Sequence, residues 1–383
     1  MRTTILAALA TVALASTADA QFVRCWGAGK VTTGGFPQYG QSAVPTDLGY
    51  IVGIDAGYAH TVTVDEEGIV RCWGAGDGAG TGDLDYNFGQ SQVPDNLGTV
   101  IAVAAGHYHN VALRADGTVR CWGYNGCGQL NVPPGLGYVS AVAASICGTS
   151  VVTSVGTVVT WGGSDGWANG LYGVTSVAGG ACHWLALKSN GRVESNQNYI
   201  GSACYSSAIV PFDLEGVVAI AAGDYHSIAL KADGTVRCWG AGTAVLSGDP
   251  HYGQCVVPPD LGAAVAIAGG SRHTVALLAD GTVRAWGQDF YGQGMTPAGL
   301  GTVSAIAAGG VHTVALSSVP SPRCPADFNN DNFVDGTDLG SLLSSWGSCV
   351  TGWPNCRPDL DGNGFVEGDD LGLLLGSWGR CRD

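Results

Sequence analysis

Apolar residues along this chain fall into two kinds of run. One is continuous, as in "HTVAL" at 273, "HSIAL" at 226 and "HNVAL" at 109; the other alternates, as in the "TVRCWG" that follows the latter two within a few residues. Short runs of either kind on the two sides of a turn read as paired strands. Between them stands Asp-Gly, at Asp116-Gly117, Asp233-Gly234 and Asp280-Gly281. This is the strongest short hairpin signal, read as a turn with both residues at positive φ. A third run of small apolar residues, such as "VIAVAAG" from 100 or "VVAIAAG" from 217, precedes the histidine strand. Before that lies a loop and short strand of the type aromatic-Gly-Gln-x-x-x-Pro, such as "YGQSAVP" from 39, "FGQSQVP" from 88 and "YGQCVVP" from 252. The pattern predicts about four short strands per unit.

The unit recurs seven times. Its histidine strands start at His60, His109, His183, His226, His273 and His312, with Gly148 in the worn third copy. Its tryptophan strands carry Trp73, Trp122, Trp161, Trp239 and Trp286, with Asn196 in a degraded copy. Spacings of 35–49 residues with four strands per unit are the signature of β-propeller blades. The histidine strand at 312 has no tryptophan strand after it, and "FVRCWG" at 22–27 has no histidine strand before it. One orphan at each end predicts an all-β, seven-bladed β-propeller over residues 21–318, closed by its N-terminal strand. The set "GQ…VP…LG", "AIAAGxxHTVAL" and "DGTVRCWG" resembles the regulator-of-chromosome-condensation repeat family over about residues 22–318. That resemblance implies the closed seven-bladed fold and roles ranging from guanine-nucleotide exchange to binding of enzymes and ubiquitin-pathway partners.

Composition narrows the setting. Residues 1–20 hold one basic residue, an apolar run and Ala18-Asp19-Ala20, the layout of a secretory signal peptide cleaved before Gln21. The run is too short to span a bilayer and no later stretch is long enough, so a secreted or cell-surface protein without a membrane span is expected. A net charge of −15 argues against nucleic-acid binding and against the nuclear exchange role. Thirteen cysteines in an exported chain point to disulfides, with one left over. Cys25, Cys72, Cys121 and Cys238, each before a tryptophan, read mostly as small buried residues; pairing is open to Cys127, Cys147, Cys182, Cys204 and Cys255.

A histidine copied in six of seven units could form a ring of ligands. A catalytic site needs different residues from different loops, so the copied histidine reads as structural, its ring bonded to backbone in each blade. The tryptophans read as blade packing. Zinc spacings, G-x-S-x-G, H-E-x-x-H and the P-loop are missing from the sequence, and no catalytic residue is assigned.

After a linker at 319–323 the composition turns acidic. Residues 324–383 carry ten acidic and three basic residues, in two copies 32 residues apart. With calcium-loop spacing, the first copy places Asp327, Asn329, Asp331, the Phe333 carbonyl, Asp335 and Asp338 at positions 1, 3, 5, 7, 9 and 12. The second places Asp359, Asp361, Asn363, the Phe365 carbonyl, Glu367 and Asp370 there. Alternate oxygens on a tight loop suit Ca²⁺, and two ions are expected. Short apolar helices, "LGSLLSSWG" and "LGLLLGSWG", follow the loops. Aspartate at position 12 in paired loop–helix units resembles type I dockerin domains. This implies a small α-helical, paired EF-hand-like domain over 324–383 that docks on a cohesin-like protein. Asn332 stands at position 6, where glycine is usual, and the helices lack that family's basic residues. Flanking cysteines allow three pairings, of which Cys324–Cys349 with Cys356–Cys381 is favoured.

Three readings follow. One is a secreted, non-enzymatic binding protein whose propeller loops, above all those at 74–88 and 240–252, take a protein or glycan while the tail attaches through calcium. The second is an extracellular polysaccharide lyase or hydrolase on a propeller, which would need carboxylates, His, Tyr or Arg converging over the channel mouth. In the third the tail is a calcium-stapled terminal knot without a partner.

Overall fold

The computed structural model describes residues 22–29, 38–76, 86–163, 169–181, 183–196, 207–243 and 250–318. In the C-terminal part it describes 326, 333–334, 336–348, 358, 360, 365–376 and 378–380. The chain divides into two compact units, residues 1–319 and 320–383.

The first unit is made of small three-stranded antiparallel sheets. The first comprises Ile51–Ala56, His60–Asp65 and Val70–Gly74, and the second Val100–Ala105, His109–Arg114 and Val119–Gly123. The third is Val139–Ala144, Gly148–Thr153 and Val158–Gly162, and the fourth Val174–Gly179, Trp184–Lys188 and Val193–Ser195. The fifth is Val217–Ala222, His226–Lys231 and Val236–Gly240, and the sixth Ala264–Gly269, His273–Leu278 and Val283–Gly287. The seventh joins Val303–Ala308 and His312–Ser317 to Phe22–Gly27, with Gly27 opposite His312. The first strands of consecutive sheets touch one another, and that of the seventh touches that of the first.

Each strand's sequence follows from its place. The middle strand lies between two others and between two neighbouring sheets, so His60 to Val64 are all buried, as are His273 to Leu277. The third strand has an open side, and its burial alternates, with Val70 buried, Arg71 exposed and Trp73 buried. The core lies between sheets. Val62, Val64 and Val70 of the first pack on Val100, Val103 and Trp122 of the second, and Val23, Val314 and Leu316 of the seventh on Ile51, Ile54 and Trp73 of the first. Fully burying one such side chain stabilises by about 1.5–3 kcal/mol.

Two local expectations are corrected. The aromatic-Gly-Gln segment is a turn, not a fourth strand. Gln41 Oε1 accepts the Tyr39 N–H, and Gln90, Gln129, Gln254 and Gln293 do the same for the residue two before them. The intervening glycine sits at positive φ, 78° at Gly40, so the backbone is folded back on itself and unavailable for a ladder. The Asp-Gly hairpin is also not a two-residue turn. Arg114 N–H bonds Thr118 O and Gly117 N–H bonds Arg114 O, with Gly117 at φ 78°. That is a three-residue loop with its glycine in the left-handed region, while the Asp116 carboxylate caps Thr118.

In the C-terminal unit, helices Gly336–Ser344 and Gly368–Gly376 follow the strand pieces Phe333–Val334 and Phe365–Val366. Phe333–Val334 pairs with Gly379–Arg380, and Gly347–Ser348 with Phe365–Val366. Val334, Leu342, Val366, Leu374 and Ala326 form its core. No helix among the described residues is long and apolar enough to cross a membrane.

Candidate binding site at the channel mouth

The repeated histidines form an inter-sheet relay. His60 Nε2 lies 2.9 Å from Asn110 Oδ1, and His109 Nε2 3.0 Å from Thr149 Oγ1. His183 reaches Ser227 at 2.8 Å, His226 reaches Thr274 at 3.0 Å, His273 reaches Thr313 at 3.1 Å, and His312 reaches Thr61 at 3.0 Å. Each acceptor is the residue after the histidine position of the next sheet, so the ring bonds a side chain across sheets rather than backbone within one. The hydroxyls in turn donate to a carbonyl, Thr61 to Gln41 and Thr274 to Gln254, which makes every imidazole the Nε2–H donor. Burial drives these histidines down to about 3 or 4, so they stay neutral. The same carbonyls accept indole N–H groups, Trp73 on Gln41 and Trp122 on Gln90.

Packing against this relay explains the glycine three residues before each histidine. A Cβ on Gly57 would stand 2.1 Å from His60 Cε1 and 2.4 Å from Gly106 O. In the third sheet, where Gly148 replaces the histidine, that position is Ser145.

The two residues between that glycine and the histidine turn over the end of a cavity of about 180 Å³, lined by the first strands of all these sheets. Backbone bonds hold them in an arc: Tyr58 N–H to His107 O, His107 N–H to Ser145 O, Asp224 N–H to Ser271 O, Ser271 N–H to Gly309 O, and Gly310 N–H to Gly57 O. Their side chains do not repeat as the histidine does. Tyr58, His107, Ile146, Ala181, Asp224, Ser271 and Gly310 hold the first position. His107 Nε2 and Asp224 Oδ1 meet at 2.8 Å, joining the second sheet to the fifth, with both side chains mostly buried. Burial opposes the Asp224 charge, but His107, Ser271 and Arg272 together hold its carboxyl below the usual range.

Beside this bridge the rings of Tyr39, Tyr58, Tyr86, Phe88, Tyr108 and Tyr124 adjoin one another. Tyr58 stacks on Tyr86 at 5.7 Å and on His107 at 5.0 Å; Tyr86 lies 5.7 Å from Tyr108, and Phe88 4.6 Å from Tyr124. On the other side the Arg272 guanidinium stands 5.7 Å from the Tyr252 ring centre. Burial, then Tyr86 and Asp224, push the Tyr58 hydroxyl up to about 12. Deeper in, Asp55 is the lone carboxylate in a layer where the other sheets carry alanine. It accepts N–H groups from Ala56 and Ala105, and burial pushes it up to about 6.

Of the loops expected to make contact, Tyr86, Phe88 and Tyr252 belong to these aromatic groups, while 77–85 and 244–249 lie outside the described residues. Sequence reasoning missed Tyr58, His107, Tyr108, Asp224 and Arg272. The available signal was the variability of the two positions before an otherwise constant histidine.

Two disulfides are described, Cys127–Cys147 and Cys238–Cys255. Both run through cysteines to which pairing was open, and Cys238 is the exception among four strand cysteines read mostly as small buried residues; "YGQC" at 252 alone among the quoted copies has cysteine after the glutamine, within reach of the strand cysteine. Cys25, Cys72 and Cys121 are free thiols. Cys182, Cys204, Cys324, Cys349, Cys356 and Cys381 lie outside the described residues.

Of the expected calcium ligands, Asp327, Asn329, Asp331, Asp335, Asp359, Asp361 and Asn363 also lie outside the described residues. Phe333 and Phe365 lie in the strand pieces, and Asp338 and Asp370 are fully buried in the first turn of their helices. Asp370 accepts the Leu360 N–H at 2.6 Å and the Glu367 N–H at 2.8 Å.

The Regulator of chromosome condensation (RCC1) repeat matches residues 100–129, 217–244 and 264–293. Among solved structures the chain is similar to Prp20p from Saccharomyces cerevisiae, at 18% identity and a TM-score of 0.61, covering 80% of this chain and 93% of that one. It is also similar to human WBSCR16, at 20% identity and a TM-score of 0.57, covering 78% and 99%. Yeast RCC1 (Prp20) in its complex with Kap60 gives 19% identity and a TM-score of 0.61, covering 84% and 94%. Among curated proteins none matches the chain by sequence. The first unit is thus an RCC1-type β-propeller.

Proposed function

We propose that this chain is an exported protein-binding module. Its seven sheets are the blades of a ring closed by Phe22–Gly27, its channel mouth grips a protein partner, and its C-terminal unit attaches elsewhere through calcium. The observation that carries the reading is the break in the repeat. His60 and its counterparts, the Gln turns and the Trp strands recur because every blade needs them. Tyr58, His107, Asp224 and Arg272 recur at the same place in no other blade, yet share one mouth with Tyr108; this is also the convergence that a polysaccharide-active enzyme would need, but binding is favoured because the Asp224 carboxylate is already engaged by His107. Tyrosine and arginine are the residues that dominate protein interfaces. Propellers of this fold are described as binding partners at the level of whole proteins: Prp20p with Gsp1p and histones, yeast RCC1 with Kap60.

For the C-terminal unit, the buried Asp338 and Asp370 fit the last ligand position of a calcium loop, and the remaining donors are all hard oxygens. Two Ca²⁺ ions would be held by the residues named above, drawing each loop onto its helix. A cohesin-like protein is the attachment partner this reading favours, and the signal-like N-terminus supports export.

The test is capture by full-length protein and by a Tyr58→Ala/Tyr108→Ala/Arg272→Ala variant, each with calcium and with chelator. A partner lost only with the variant places binding at the mouth, and a second partner lost only with chelator places attachment on the tail. Equal capture under all four conditions refutes both assignments.

A further inference from the structure

Charge is divided between the two ends of the propeller strands. The ion pairs Arg71–Asp47, Arg114–Asp116, Lys231–Asp233, Arg237–Asp213 and Arg284–Asp260 are formed by residues at or near the hairpin-turn end. At the mouth end the carboxylates of Asp224, the deeper Asp55 and Asp289 in the loop after Gly287 accompany the Arg272 guanidinium, in a chain of net charge −15. That arginine shows how a cation sits here, on the face of Tyr252 at 5.7 Å. Across the bridge lies a larger set of tyrosine faces, those of Tyr58, Tyr86 and Tyr108, packed within 6.0 Å of one another. Aromatic faces carry negative quadrupole density and attract a desolvated cation, most strongly where a carboxylate adds its field.

We propose that the tyrosine arc of Tyr58, Tyr86 and Tyr108, beside the His107–Asp224 bridge, receives a lysine or arginine side chain of the partner protein. This rests on the reading of the mouth as a protein-binding surface and specifies what it recognises: a basic side chain laid along tyrosine faces, its charge turned toward Asp224. A neutral sugar could also stack on such rings, but it would gain nothing from the carboxylate.

The test uses full-length protein and four probes: acetyl-Gly-Lys-Gly-amide, its arginine and norleucine counterparts, and methyl β-glucoside, followed by saturation-transfer NMR. The lysine and arginine peptides are expected to saturate in the millimolar range, with norleucine several-fold weaker. Tyr86→Leu and Asp224→Asn should each weaken the lysine peptide several-fold. Thermal unfolding checks that both variants fold; Tyr86 lies on the rim, so Tyr86→Leu decides the matter if Asp224→Asn does not fold. Equal binding of norleucine, preference for the glucoside, unchanged affinity in the variants, or no binding at all would overturn the proposal. If the mouth variant of the capture experiment still loses its partner while lysine peptide does not bind, protein binding at the mouth stands and this inference falls.

Discussion

The imidazole Nε2 of His312 lies 3.0 Å from Thr61 Oγ1, although 251 residues separate them. The same bond recurs at every other joint with a histidine to make it, and it is missing where Gly148 replaces the histidine. There the next sheet has Trp184 in place of the hydroxyl residue, so donor and acceptor disappear together.

Thr61→Val would leave the buried His312 N–H without an acceptor, at a cost of about 1–3 kcal/mol. Thr61→Ser keeps the hydroxyl and should cost clearly less. Urea unfolding of both variants measures the difference; equal losses would mean that the methyl, not the bond, matters.

The relay makes the protein acid-sensitive. The six histidines resist protonation when folded, down to about 3 or 4, but accept protons near 6.5 when unfolded. The unfolded state therefore binds more protons below 6.5. Their contribution is full above that pH and is lost as pH falls toward 4, by about 2 kcal/mol per histidine at pH 5. Asp55, raised to about 6, acts the other way, losing stability as pH rises above its unfolded value, but it is one group against six. The urea midpoint is expected to fall steeply between pH 7 and pH 5, and a flat profile would contradict the neutral relay.

Trp122 donates its indole N–H to Gln90 O at 3.0 Å, whereas the Trp286 N–H is buried without a hydrogen-bond partner. Trp122→Phe should therefore cost about 1 kcal/mol more than Trp286→Phe, since the latter removes an unsatisfied donor. Parallel denaturation curves of the two variants give the comparison directly.

Cys72 and Ser91 occupy in one repeat the places of Cys238 and Cys255 in another, where the Cα atoms are 5.0 Å apart. Ser91→Cys is expected to form a disulfide with Cys72 and to stabilise by about 3 kcal/mol, as for loops of similar length. Thiol labelling of the unreduced variant checks it: a gain of one reactive thiol instead of the loss of one would rule the bond out.

The middle and third strands were legible in the sequence because packing leaves them little freedom. A strand enclosed on both faces must be apolar throughout, and one with an open side must alternate, as His60–Val64 and Val70–Trp73 do. The loop at the glutamine was legible but the strand expected with it is not there, because the decisive contact, Gln41 onto the backbone of Tyr39, is side chain to main chain and leaves no periodicity. The disulfide of Cys238 depended on Cys255 in a loop further along the chain, not on its own strand. The mouth was hidden for the opposite reason to the core. Tyr58, His107 and Asp224 repeat nothing, and only the packing of separate sheets brings them together.

The seventh sheet is made from both ends of the propeller sequence. While the chain is being synthesised, Phe22–Gly27 emerges first but cannot pair until His312–Ser317 follows. Folding must therefore wait for its most distant contact, and topologies of this kind fold slowly. Until then the partly built array presents an unpaired strand edge, the surface most prone to pairing with another chain.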